Sequence, residues 1–209
     1  MTTSSLQPSA DPDGTIEPTE TGGVIRFERR LPYPVAEVWS AITEPARLAE
    51  WWLPFDADIT VDLQPGGMMV MSATGDEPVT ITCEILRVEP PRLLEHTHVD
   101  PGTRMLWELE DDPAGTVLRL SHFVLDPAVA IENCYAVGLH TSLDRLGPCL
   151  AGTPAPWDWD GFARHQERYA PPDSHPHCRP DGRRPRPVAS PAVADPFRAV
   201  LIGALHSAR

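Results

Sequence analysis

The stretch from Leu31 to Trp52, LPYPVAEVWSAITEPARLAEWW, constrains this chain more than any other. Pro34 and Pro45 each stand where a helix start needs no backbone donor and gains from a fixed φ, so each opens a short helix. In the first, Val35, Val38, Trp39 and Ile42 recur at i, i+3, i+4 and i+7 and form one apolar stripe, while Glu37 supports the positive end of the helix. Leu48, Trp51 and Trp52 repeat the pattern in the second. Core packing is the expectation for Trp39 and Trp52, given this helical spacing. Immediately upstream, VIRFERRL from Val24 alternates apolar with charged residues as a half-buried strand does.

Downstream the period changes from helical to alternating. DITVDL sets Ile59, Val61 and Leu63 on one face, QPGG supplies a turn, and MMVMSAT returns as the partner strand. VTITCEILRVEP carries Ile81, Cys83 and Ile85 on one face and then slips, with Leu86 and Val88 on the other, which predicts a bulge that bends the sheet. Pro90 and Pro91 end that strand and RLLEHTHV makes the next. A DPG turn from Asp100 leads into TRMLWELE, with Met105, Trp107 and Leu109 on one face, and an AGT turn opens VLRLSHFV, with Leu118, Leu120 and His122 on one face. The count is seven strands.

Asp126 then caps, and Pro127 opens, a helix expected to run to Leu150 with the stripe Ile131, Tyr135, Leu139, Leu143, Leu146 and Leu150. Pro148 falls inside it and is expected to distort the last turns, because it removes a hydrogen bond and crowds the Asp144 carbonyl. GFARHQERYA adds a further helical turn or two.

The ordered blocks from roughly Val24 to Tyr169 resemble the SRPBCC superfamily (START-like, birch-pollen-allergen-like): the first strand, the paired helices, the VDLQPGG turn, LRVEPPRLLEHT and GTVLRLSHF. Within it they are most similar to the C-terminal-like domain family named after activators of the heat-shock-protein-90 ATPase. The resemblance implies an α+β helix-grip fold, in which a curved seven-stranded antiparallel sheet wraps a long C-terminal helix and encloses a cavity. It also implies three kinds of role: small-molecule binding, chaperone regulation and, since the superfamily includes cyclases and hydrolases, catalysis of cyclisation or hydrolysis in the cavity. Co-chaperone activators of this type carry a separate N-terminal chaperone-binding domain, and the 23 residues before the first block are too short and polar to be one, so the name is expected to describe fold more than activity.

Composition narrows the organisation. The 209 residues suit one domain, about 23–170, between a disordered start (1–22, rich in Ser, Thr, Pro, Asp and Glu) and a Pro/Arg-rich arm from Pro171. Within that arm DPFRAVLIGALHSAR, with Asp195 as cap and Pro196 at the start, reads as a short amphipathic helix. A net charge of −13 with no lysine opposes nucleic-acid binding, which needs a basic field. The N-terminal stretch has no apolar signal-peptide core, and no apolar run approaches the ~20 residues of a membrane span, so a cytoplasmic protein is expected. Cys83, Cys134, Cys149 and Cys178 show no CxxC pair and read as thiols, with Cys83 and Cys134 as small core residues.

The candidate site is the cavity the fold implies. Trp107, on a strand facing the long helix, is expected to line it with Met69, Met71, Leu120, His122, Tyr135 and Leu139. The expected partner is a small hydrophobic molecule, with a chaperone as the alternative, and no cofactor is called for. His122 or Glu108 in an apolar pocket would have a tuned pKa suited to acid–base work, although no nucleophile elbow, Cys–His pair or phosphate-cradling loop is present. His96 and His98 share a strand face and His122 is on a nearby strand, but no carboxylate or cysteine is spaced to complete a metal site. His175, His177 and Cys178 in the C-terminal arm suggest adventitious metal binding only.

Overall fold

The computed structural model describes residues 13–75 and 79–170. The first twelve residues, the His175–Cys178 cluster and the amphipathic stretch after Asp195 lie outside the described residues. Among the described residues eight strands form one antiparallel sheet: β1 (Thr15–Thr19), β2 (Gly22–Leu31), β3 (Ala57–Val61), β4 (Met68–Ala73), β5 (Thr80–Glu89), β6 (Leu93–Thr97), β7 (Arg104–Asp112) and β8 (Gly115–Val124). Their order is β1-β2-β8-β7-β6-β5-β4-β3, so β2 from the start of the domain pairs with the last strand. The helices are α1 (Val35–Thr43), α2 (Pro45–Trp51), α3 (Pro127–Glu132), α4 (Tyr135–Leu150) and α5 (Trp159–Tyr169).

One strand more is present than the alternation predicts, and it lies in the segment read as disordered. β1 pairs with β2 from Thr15 opposite Arg26 to Thr19 opposite Gly22. Only Ile16 of its five residues is even partly buried, so the strand is held by backbone hydrogen bonds and carries no apolar period. Pro18 fits there because an edge strand can spare a donor. The turn into β2 depends on Gly22, whose φ is +146° and whose Cβ would meet the Val124 carbonyl oxygen at 2.2 Å. The sheet therefore begins upstream of Gly23, which itself sits in β2.

The paired helices form as the prolines dictate, with Pro45 at the first position of α2 and Pro34 just ahead of α1. Glu44 between them is extended (φ −82°, ψ 127°), as a residue before proline prefers. The inward face of α1 is centred on Val35, Val38, Ala41 and Ile42, which leaves Trp39 at its edge and only partly buried. Trp51 takes the central place instead: it is fully buried and donates its indole N–H to the Ala41 carbonyl at 2.9 Å. The bulge in β5 appears as a register shift between Ile85 and Arg87, which brings Val88 opposite Leu94 and back against the core.

The helix expected from Asp126 to Leu150 is two helices. Asp126 caps α3 by accepting from the Ala128 amide at 2.8 Å, but α3 stops at Glu132 and Cys134 adopts the left-handed conformation (φ 58°). A residue so placed cannot continue a right-handed helix, and Cys134 is half-buried at the joint rather than in the core. Pro148 does lie inside α4, which runs on to Leu150. α4 packs on α1, α2 and α5 and reaches the sheet at β2. Its Arg145 gives hydrogen bonds to four carbonyls, those of Glu50, Trp51, Leu53 and Ala155, at 2.7–3.0 Å, and so satisfies acceptors at and just beyond the end of α2 and one in the segment before α5. α5 is capped by Asp158, which accepts from the Gly161 amide at 2.9 Å.

Candidate functional site

Between the sheet and α4 lies a small chamber lined by Trp52, His98, His122, Tyr135, Gly138, Leu139 and Ser142. Its volume of about 10 Å³ suits one water-sized occupant. The α4 residues recur at i, i+3, i+4 and i+7 from Tyr135, so one helix face supplies them, and two of the four are small. That smallness opens the space.

The polar groups around the chamber differ in how they are satisfied. Tyr135 donates its hydroxyl to the Asp100 carboxylate in the turn before β7. Ser142 Oγ donates to the carbonyls of Trp52 (2.9 Å) and Gly138 (3.1 Å), a pair between which its proton is shared. His98 stands edge-on to His122, with ring centroids 4.4 Å apart. His122 is fully buried, and neither of its ring nitrogens has a hydrogen-bond partner among the described residues.

Burial pushes the His122 pKa down to about 3, with the neighbouring His96 adding to the effect, and pushes His98 well below its ordinary value. Both rings are neutral near pH 7. So weak a base is poorly matched to proton abstraction at that pH, whereas a neutral imidazole offers one donor and one acceptor to whatever enters the chamber.

His96 shows the contrast on the next strands. Its Nδ1 lies 2.7 Å from the Thr97 carbonyl oxygen and must carry the proton there, which leaves Nε2 to accept from the Trp107 indole N–H at 3.0 Å. With both nitrogens committed, His96 cannot join His98 and His122 around a metal ion.

Of the residues expected to line the cavity, the structure brings His122, Tyr135 and Leu139 to the chamber. Trp107 is elsewhere: it is buried in an edge-on cluster with Trp51 (6.3 Å) and Trp52 (5.4 Å). Leu120 lies opposite Trp107 in the sheet and, like Met69 and Met71, is packed into the core away from the chamber. Glu108 is exposed, since strand alternation turns it away from Trp107, and it cannot act in an apolar pocket. Trp52, His98, Gly138 and Ser142 were not anticipated as lining, although the helical spacing from Tyr135 carried the signal for the last two.

With this geometry described, comparison with known proteins decides the family. The family described as Activator of Hsp90 ATPase homolog 1-like protein matches residues 32–151. The chain belongs to this family. Its place in the SRPBCC superfamily and its helix-grip fold follow. Solved structures of similar fold include CalU16 from Micromonospora echinospora, at 28% identity and a TM-score of 0.58, covering 75% of this chain and 94% of that one. A conserved protein of unknown function from Enterococcus faecalis has 20% identity and a TM-score of 0.60, covering 75% of this chain and 87% of that one. The AHSA1-like protein from Aeromonas hydrophila has 23% identity and a TM-score of 0.51, covering 62% and 92%. No curated protein matches the chain. As an AHSA1-like domain it has the fold of a ligand-binding type of family, and among its described residues no helix is long and apolar enough to cross a membrane.

Proposed function

We propose that this AHSA1-like domain binds a small, mainly apolar molecule carrying one polar group, in the cytoplasm, at the chamber between the sheet and α4. The observation that carries the reading is His122. Burying an imidazole with neither nitrogen paired costs about 1–3 kcal/mol, and a hydrogen-bonding group brought in by a ligand recovers part of it. Trp52, Leu139 and the Gly138 backbone supply apolar walls around that point. The chamber as it stands takes only one water-sized group, so a larger ligand requires its walls to move apart. Decanol and decanoic acid added to the full chain are expected to change tryptophan fluorescence saturably through Trp52. Decane, which lacks the polar group, is expected to bind more weakly. His122→Leu and Leu139→Trp should each weaken decanol binding at least tenfold without unfolding the protein. Absence of any saturable response overturns the reading.

The smallness of the chamber favours one further reading, a surface role as a co-chaperone-like regulator. Leu125 and Val129, 61% and 43% exposed beside and on α3, provide apolar surface for a protein partner. That reading expects stimulation of a chaperone ATPase to fall with Leu125→Asp and to ignore His122→Leu.

A further inference from the structure

α4 and α5 meet through a side-chain cluster separate from the chamber. His140 and Asp144 stand one turn apart on α4, and His165 faces them from α5. His165 Nε2 lies 2.9 Å from Asp144 Oδ2, and His140 Nε2 lies 3.6 Å from Asp144 Oδ1. Their potential ligand atoms all fall within 4.8 Å of one another. The two imidazole side chains are only 1% and 9% exposed, whereas Asp144 is 48% exposed. Each oxygen of one carboxylate is thus faced by a different buried imidazole. His165 Nδ1 is buried with no hydrogen-bond partner among the described residues, so Nε2 is the nitrogen this ring turns toward Asp144. His140 Nδ1 lies 3.0 Å from the Tyr169 hydroxyl, which in turn accepts from the Gly14 amide at 2.6 Å. A contact at the far nitrogen is what orients a metal-ligating imidazole.

We propose that His140, Asp144 and His165 bind one divalent transition-metal ion of the zinc class, bridging α4 to α5, with its remaining position open to solvent beside Asp144. The donor set decides the class: two imidazoles and one carboxylate suit zinc and its neighbours, while calcium and magnesium require oxygen ligands throughout. Ligands about 2.1 Å from a tetrahedral ion sit about 3.4 Å apart, and the two nitrogen–oxygen separations already bracket that distance. The imidazoles are now stacked, with centroids 3.7 Å apart and planes 15° from parallel, so they must splay for both to point at one ion. Arg168 pairs with Asp13 at 3.0 Å, whereas the buried Arg29 guanidinium acts electrostatically on both Asp144 and His140, so the ion is held against one nearby positive charge.

The test uses the full chain, freed of metal by a chelator and titrated with Co²⁺ and Zn²⁺. One equivalent is expected to bind, with the visible Co²⁺ absorption of a four-coordinate nitrogen/oxygen site and a zinc-dependent rise in unfolding midpoint. Asp144→Asn, whose exposed position makes misfolding a small risk, and His165→Gln should each abolish both signals. The combined His175→Ala, His177→Ala, Cys178→Ala variant should keep them, because it alters the other ligand-rich segment of the chain. The proposal is overturned by no saturable binding, by binding that survives Asp144→Asn, or by binding lost only in the variant altered at His175, His177 and Cys178.

Discussion

His96 and His122 are both buried on the inner side of the same sheet, yet they belong to regions built on opposite terms. Around His96 everything is closed: Trp107 donates to it, Thr97 accepts from it, and Trp51, Trp52 and Trp107 stack edge to face. Around His122 the packing loosens to a water-sized chamber, and neither ring nitrogen has a hydrogen-bond partner among the described residues. His96, with both nitrogens used in hydrogen bonds to its sheet neighbours, serves the core, whatever its residue type suggests about chemistry. His122, with neither so used, marks where the protein has left room for something else.

The largest expected effect tests whether both regions keep their imidazoles dry. The folded-state pKa is lowered by burial for His96 (to about 4), for His122 (to about 3) and for His98. An unfolded chain takes up those protons near pH 6.5 and the folded one does not, so the stability these rings confer is complete above that pH and declines as pH falls toward 3–4. Each such ring contributes a slope of about 1.4 kcal/mol per pH unit in that window. The urea midpoint at pH 5 is therefore expected to lie far below that at pH 7. Equal midpoints would mean that water reaches these rings freely.

Next in size is the tryptophan block. Trp51→Ala removes a fully buried indole together with its bond to Ala41 and should cost about 3–5 kcal/mol, enough to leave insoluble or molten protein. Trp39→Ala, at the edge of the same pair of helices, should cost about 1–2 kcal/mol and leave a cooperative transition. Chemical denaturation of both variants checks the order. Reversal of the two would move the centre of the α1–α2 face from Ala41 to Trp39.

These regions were unequally legible in the sequence. The paired helices, the β5 bulge and the inward faces of the strands follow from apolar spacing, a local quantity that tertiary packing respected here. β1 escaped notice because an edge strand is held by backbone hydrogen bonds, and TIEPT shows no alternation. The break between α3 and α4 carries no glycine or proline at Cys134 to announce it. The chamber is created by Gly138 and Ser142, which look like gaps in the α4 stripe rather than features. Which histidine is satisfied and which is not depends on Trp107 and Thr97 contacts across the sheet, and no spacing rule encodes that. A tryptophan on an inward strand was accordingly expected at the cavity, while Trp52, at the end of α2, is the one that reaches it.

The smallest expected change in stability discriminates most sharply between the two regions. His122→Leu replaces an unpaired buried imidazole with an apolar side chain, so it should leave stability at pH 7 within about 1 kcal/mol of the original protein or raise it. It should also reduce the acid slope by the share of one proton, about 1.4 kcal/mol per pH unit. His96→Leu removes a similar ring but strands the Trp107 indole N–H and the Thr97 carbonyl, and should destabilise by about 1–3 kcal/mol at the same pH. Parallel denaturation curves of the two variants at pH 7 and pH 5 separate these cases. If His122→Leu proves as damaging as His96→Leu, His122 is a satisfied structural residue and the chamber loses its claim to be a site. If it is tolerated while decanol binding is lost, the unpaired imidazole is retained for what it binds rather than for what it supports.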